Sequence, residues 1–194
     1  MKKSIIILII ILLAAVPLFA QFQGEIISLQ SVGGGPVALL PLLDWTEHLV
    51  AGFGAEASLD LGVLPDLLPG FLYAGADLGF SINIPVAGGH LNSQTDIWAQ
   101  ALAGINLNFD DINLSLSPEF GYGLMLHLAD GLISGKQQSS VFFDQLSFIS
   151  LKIGYRIIPE MKIILQPEYK MFFETGTHGH QFVTIVGVEY KLGE

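Results

Sequence analysis

Cysteine is absent from this chain of 194 residues. Disulfides, a thiolate metal site and a lipid anchor on an N-terminal cysteine are therefore excluded. Charge is scarce too, at 13% of residues against roughly a quarter in ordinary soluble domains. It is also one-sided, with 8 basic and 18 acidic residues and a formal net charge of −10 at pH 7. That balance disfavours phosphate-rich partners, so no nucleic-acid partner is expected. The third lack is a long apolar run. After the N-terminal leader no stretch has the ~18 continuous apolar residues of a spanning helix, although 51% of the chain is hydrophobic. High hydropathy without a helical span points to apolar residues dispersed over alternate positions, as in a membrane β-barrel.

The leader is short. Lys2 and Lys3 precede an apolar stretch from Ile5 to Val16, then Pro17, Leu18, Phe19 and Ala20 lead to Gln21. This reads as a cleavable signal peptide over 1–20, leaving 21–194 as one β-barrel domain. Pro17 and the shortness of the run argue against an uncleaved anchor.

What is present is alternation. Leu72, Ala74, Ala76, Leu78, Phe80, Ile82 and Ile84 fall on one side of an extended segment, and Tyr73, Gly75, Asp77, Gly79, Ser81 and Asn83 on the other. A period of two is a strand with one apolar face. Its length exceeds the usual ~5–6 residues of soluble sheets and suits a tilted bilayer crossing. Similar patterns predict about eight strands: 26–40, 48–61, 71–85, 97–109, 112–126, 145–157, 161–173 and 181–192. In the second, Leu49, Ala51 and Phe53 share the apolar face. The fold class is all-β, a transmembrane up-and-down antiparallel barrel.

Connections alternate in length. Asp110-Asp111 and Ile158-Pro159-Glu160 are tight, and 62–70 is intermediate. The segments 86–96, 129–144 and 174–180 are longer, polar and Gly-rich. Short periplasmic turns and long external loops fit an outer-membrane barrel. The polar faces are built of Gly, Ser and Asn with few charges, which suits a filled lumen. The apolar faces are too bulky for a small closed interior, so they are assigned to lipid, where only a closed barrel leaves no backbone unpaired.

On the inward face, acidic positions concentrate early in the chain and basic ones late. A buried charge is costly unless paired, so Glu56, Asp77, Glu119 and Glu168 are expected to pair with Lys152 and Lys170 across the lumen. The repeated segments Leu116-Ser117-Pro118-Glu119-Phe120 and Leu165-Gln166-Pro167-Glu168-Tyr169 place a proline in each of two strands, where a bulge is expected. All five histidines fall at the end assigned to the outside. Of these, His48, His127, His178 and His180 form a candidate metal set, together with nearby carboxylates. Their spacing matches no known metal motif, so no cofactor is assigned. Trp45, Phe143, Phe173 and Phe182 at one end, and Phe71, Phe109, Tyr155 and Tyr190 at the other, fit interfacial girdles.

The last strand carries Gly187, Tyr190 and Leu192 in a Gly-x-x-aromatic-x-apolar pattern. It resembles the C-terminal signal that the barrel-assembly machinery reads. With Pro41, Gly52-Phe53-Gly54 and the eight-strand layout, the mature chain resembles the small OmpA/OmpX/OmpW-like outer-membrane β-barrels. The resemblance implies an outer-membrane location, contact with outer-membrane lipid and assembly through that machinery. It fixes no activity, because such barrels include tethers, adhesins, narrow pores and a few lipid enzymes. An enzyme is not expected, since no serine lies in a His-x-Ser strand motif. The function read here is a structural or surface-interaction role with a plugged lumen and external loops open to an extracellular ligand. The alternatives are a narrow pore or hydrophobic-solute channel, a lipid-modifying enzyme, and a soluble periplasmic barrel.

Overall fold

The computed structural model describes residues 27–63, 71–133, 136–174 and 177–192. The expected signal peptide and most of the 62–70 connection lie outside these residues. Nine strand segments form one antiparallel sheet: β1 (Ile27–Leu42), β2 (Leu49–Val63), β3 (Leu72–Pro85), β4 (Leu91–Ile105), β5 (Leu107–Phe109), β6 (Leu114–Ile133), β7 (Lys136–Ile158), β8 (Met161–Glu174) and β9 (Thr177–Lys191). Segments β4 and β5 make a single crossing, interrupted at Asn106, and both pair with β6. The wall therefore has eight crossings. Each crossing pairs with its chain neighbours, and β1 pairs with β9 to close the ring.

The register fixes the shape. Starting at Ser31, the ladder runs through Asp60, Gly75, Leu102, Gly121, Phe148, Lys170 and Gln181. It returns to β1 at Pro41, ten residues further along. Eight strands with that stagger tilt by about 40° and give a backbone radius of about 8 Å, an interior that side chains can fill. One face of the wall is apolar and turned outward, with Phe53, Phe80, Ile82, Phe120, Leu124, Ile149, Leu165 and Val186 all exposed. The inward face carries the buried polar and charged residues. This is the opposite of a soluble ligand-binding barrel and is the arrangement of a membrane-spanning one.

The structure departs from the alternation pattern in several places. Alternation puts Leu49 on the apolar outward face, but a bulge between Leu49 and Ala51 turns it inward, 1% exposed, and sends Val50 out. The segments 86–96 and 129–144 are mostly strand: β4 begins at Leu91, and β6 and β7 continue to Ile133 and Lys136. Trp45 does not join an outer girdle. It sits on the 3-10 turn Leu43–Glu47 and packs over the mouth of the lumen, its ring 5.3 Å from that of His127 and 5.4 Å from that of Phe172.

The prolines produce gaps rather than bulges. Arg156 N donates to Asn113 O and Lys191 N to Glu160 O. Since neighbouring residues bond to opposite sides, these bonds assign the ladder side of each residue. The missing donor of Pro167 faces Leu151, that of Pro118 faces Ile105, and that of Pro36 faces Val186. At each of these places the pairing is skipped and then resumes in the same register: Ser150↔Glu168 to Ile153↔Leu165, Gly104↔Glu119 to Leu107↔Leu116, and Gly34↔Val188 to Val37↔Ile185. A closed ring cannot shift one strand without disturbing all the others, so the ladder gives up a bond instead.

Pro167→Val is expected to add one slowly exchanging amide at position 167, seen by hydrogen exchange. The net gain in unfolding free energy should stay within about 1 kcal/mol, because the restored bond is offset by a freer unfolded chain.

Candidate functional site

Among the described residues, inward-facing side chains occupy the lumen in three tiers. Nearest the chain termini, Lys152 on β7 reaches across the interior. Its Nζ is 3.0 Å from Asp60 Oδ2 on β2, 3.0 Å from Glu119 Oε1 on β6 and 3.7 Å from Glu189 Oε2 on β9. Glu119 also accepts from Tyr73 Oη at 2.5 Å, Ser150 Oγ at 2.6 Å and Gln166 Nε2 at 2.9 Å. Ser31 Oγ donates to Asp60 Oδ2 at 3.1 Å. Lys162 adds a second cation, 3.3 Å from Glu189. The space left among these groups is a cavity of about 30 Å³, room for a water rather than a solute.

The middle tier is built on Trp98. Its indole Nε1 donates to Glu56 Oε2 at 2.7 Å, and Lys170 Nζ lies 3.9 Å from its ring centroid. Lys170 is also 3.7 Å from Glu56 and 3.3 Å from Glu168. Gln100 Nε2 ties Asp77 and Glu168 together, at 3.0 and 3.2 Å. A cation over an indole face with carboxylates beside it is strongly held when dry.

The tier at the far end is apolar. Val37, Leu39, Met125, Leu146, Phe172, Val183 and Ile185 form one buried cluster with Trp98. Above it, His127 lies between two buried carboxylates: Nδ1 is 2.7 Å from Asp96 and Nε2 is 3.1 Å from Asp144. Asp96 also accepts from Asn83 Nδ2 at 2.6 Å and Gln94 Nε2 at 2.8 Å. Phe142 stacks on the imidazole at 4.8 Å.

The six residues assigned to a lumen charge network, Glu56, Asp77, Glu119, Lys152, Glu168 and Lys170, all lie inside and buried. Asp77 is held by Gln100 rather than by a lysine. Asp60 and Glu189 are further partners of Lys152 that the expected pairing left out. The three candidate metal-set histidines with described side chains are not brought together. His127 is in the lumen, His48 is exposed at the rim, and His180 is on the outward face, where Tyr169 Oη lies 2.7 Å from its Nδ1. The side chain of His178 lies outside the described residues. Among the described residues, no group of three or more His, Cys, Asp or Glu is arranged to hold a metal ion. In the terminal strand, Gly187 packs so closely on Gly34 that a Cβ would meet its carbonyl oxygen at 2.3 Å. Tyr190 faces outward, and Leu192 N donates to Gln30 O at 2.9 Å.

Sequence reasoning passed over Trp98, the apolar tier, and the pairing of His127 with Asp96 and Asp144. Parity was the available signal, since each lies an even number of residues from an inward polar position on its own strand. Apolar identity hid the first two groups.

Solved structures with the same architecture include Neisserial surface protein A, with a TM-score of 0.59 at 13% identity over 86% of this chain and 99% of that one. The attachment invasion locus protein Ail of Yersinia pestis gives 0.57 at 10%, over 87% and 100%. The outer membrane protein OprG of Pseudomonas aeruginosa gives 0.57 at 9%, over 89% and 99%. This chain has the fold of the small outer-membrane β-barrels. No protein-family model and no curated protein sequence matches it.

Removing Lys152 leaves buried carboxylates without their cation. Lys152→Ala should therefore destabilise the barrel by roughly 3–5 kcal/mol, read as a lower urea midpoint for the detergent-folded protein.

Proposed function

We propose that this protein resides in the outer membrane with its lumen permanently closed, and that it acts at its outer surface without catalysis. The single observation that carries this reading is Lys152. It joins β7 to β2, β6 and β9 at once and crosses the space a solute would need. The apolar belt supports lipid contact. The Gly187, Tyr190 and Leu192 pattern supports delivery by the barrel-assembly machinery after loss of residues 1–20. With an even number of crossings the described termini share one end, which this reading places in the periplasm.

The far end is then external, and one part of it stands out. The β6–β7 hairpin continues well past β8, which pairs with β7 no higher than Gln145↔Phe173, whereas β6 and β7 pair up to Ile133↔Lys136; on its other side β4 follows β6 up to Leu91↔Gly131. The Yersinia protein among the similar folds is named an attachment protein and has been solved with a heparin analogue. A polyanion suits this chain poorly, because its rim exposes Asp44 and Glu47 and has Asp130 partly exposed. The external ligand we favour is therefore neutral or basic.

Planar-bilayer recording tests the closed lumen. The wild-type protein should give no steady conductance, and Lys152→Ala should give either none or brief, noisy openings. Stable, salt-dependent channels from the wild type would instead establish the pore.

A further inference from the structure

The outward belt is not equally apolar all round. On β1 to β4, every outward side chain from Val32 to Leu42, Val50 to Leu61, Leu72 to Ile84 and Ile97 to Ile105 is apolar or glycine. On β6 to β9, inside the aromatic girdles, Tyr122, Gln145, Ser147, Tyr169, Thr184 and His180 face outward. Tyr122, Ser147, Met171 and His180 are successive ladder partners, so these polar groups form one patch. Ser147 lies four residues from Phe143 toward the terminal end, about 10 Å deeper in the bilayer. Among the described residues, neither Tyr122 Oη nor Ser147 Oγ has a hydrogen-bond partner. Unpaired hydroxyls in hydrocarbon are costly, and polar side chains on membrane-spanning elements hold one protein surface to another.

The patch is its own complement. Strand β7 runs through its middle, with Tyr122 on β6 to one side and Tyr169 on β8 to the other. Each step from β6 toward β9 climbs about 3 Å toward the far end, and two residues back along β8 descend about 5 Å. Tyr169 therefore lies at nearly the depth of Tyr122. Tyr122 projects from the wall, 53% exposed. On the other flank, at the same level, is a depression of about 260 Å³ whose walls include Ile149, Leu151, Pro167, Tyr169 and Phe182. It has room for an aromatic ring. The Leu151 carbonyl at its edge is the one that Pro167 leaves without a ladder donor. No Asp, Glu, Lys or Arg faces outward between the girdles on β6 to β9, so nothing there repels an identical surface.

We propose that this face joins two copies of the chain side by side in the membrane, about a two-fold axis along the membrane normal that passes beside β7. Rotation about the normal preserves depth. Tyr122 of each copy then enters the depression of the other, with its hydroxyl toward the Leu151 carbonyl, and Ser147 and Gln145 meet their own counterparts. An isologous contact requires one patch to supply both knob and hole. Hydroxyl and amide groups both donate and accept, so each can pair with a copy of itself. The two walls meet side chain to side chain, and neither sheet is extended by the other. Their strands cross at roughly 80°, as in orthogonal sheet packing. Pairing of copies is independent of what the outer surface binds.

The test uses the mature chain in phospholipid vesicles. Because the chain has no cysteine, a single introduced thiol reports its own position. Under mild oxidant and a large excess of lipid, Ser147→Cys should give disulfide-linked dimers, and Ala76→Cys on the β3 face should give almost none. Förster transfer between donor- and acceptor-labelled copies should fall along a monomer–dimer curve as lipid is added. Tyr122→Phe should weaken association about tenfold, because one polar contact in a membrane is worth about threefold and the symmetric interface loses two. Tyr122→Ala should weaken it further, and Phe80→Ala on β3 should leave it unchanged. Equal cross-linking from positions 147 and 76, transfer no greater than that of randomly dispersed labels, or undiminished association of Tyr122→Ala would each overturn the proposal. The wild-type transfer measurement needs no altered protein, and a closed lumen together with any of these results would leave the surface role standing.

Discussion

A strand crossing hydrocarbon has no water to satisfy its backbone, so its ladder must close on itself. Closure fixes the number of crossings and the stagger together. These fix the tilt and the radius, and with them how much material the interior must hold. The apolar exterior, the packed interior and the fixed register around three prolines all follow from that one requirement. A bulge would be tolerable in an open sheet. In a ring it would have to be absorbed by every other strand. Bulges accordingly appear near strand ends, at Leu29/Ser31, Leu49/Ala51, Leu91/Ser93 and Arg156/Ile158.

The interior solves its packing problem with two materials. From the termini to mid-height it uses charge, with Lys152 and Lys170 each facing several carboxylates. Toward the far end it uses hydrocarbon, capped by Trp45 and His127. Trp98 belongs to both, with its ring in the apolar cluster and its N–H on Glu56. A single indole therefore couples the two halves of the plug.

Alternation revealed the strands, their faces and the burial of Glu56, Asp77, Glu119, Lys152, Glu168 and Lys170, because the membrane imposes a strict contrast between the two sides. It failed where that contrast fades. Gln137 and Ser139 face outward into water on a strand that continues, so their sequence looks like loop. Leu49 and Trp98 failed in the other direction, as apolar residues facing inward in a lumen assumed to be polar. Partner choice among the charges was not legible, because which carboxylates Lys152 reaches depends on the stagger around the ring. The separation of His48, His127 and His180 was not legible either, because shared height does not mean shared face.

The proline gaps also divide the wall mechanically. Pro36 and Pro167 flank the β8–β9 hairpin on its two sides, opposite Val186 and Leu151, and their positions along β9 differ by only two residues. The hairpin is thus a stave fastened by incomplete stitching on both edges at one level. Lateral stress from the bilayer will gather along those two seams before it strains the uninterrupted ladder between β6 and β7.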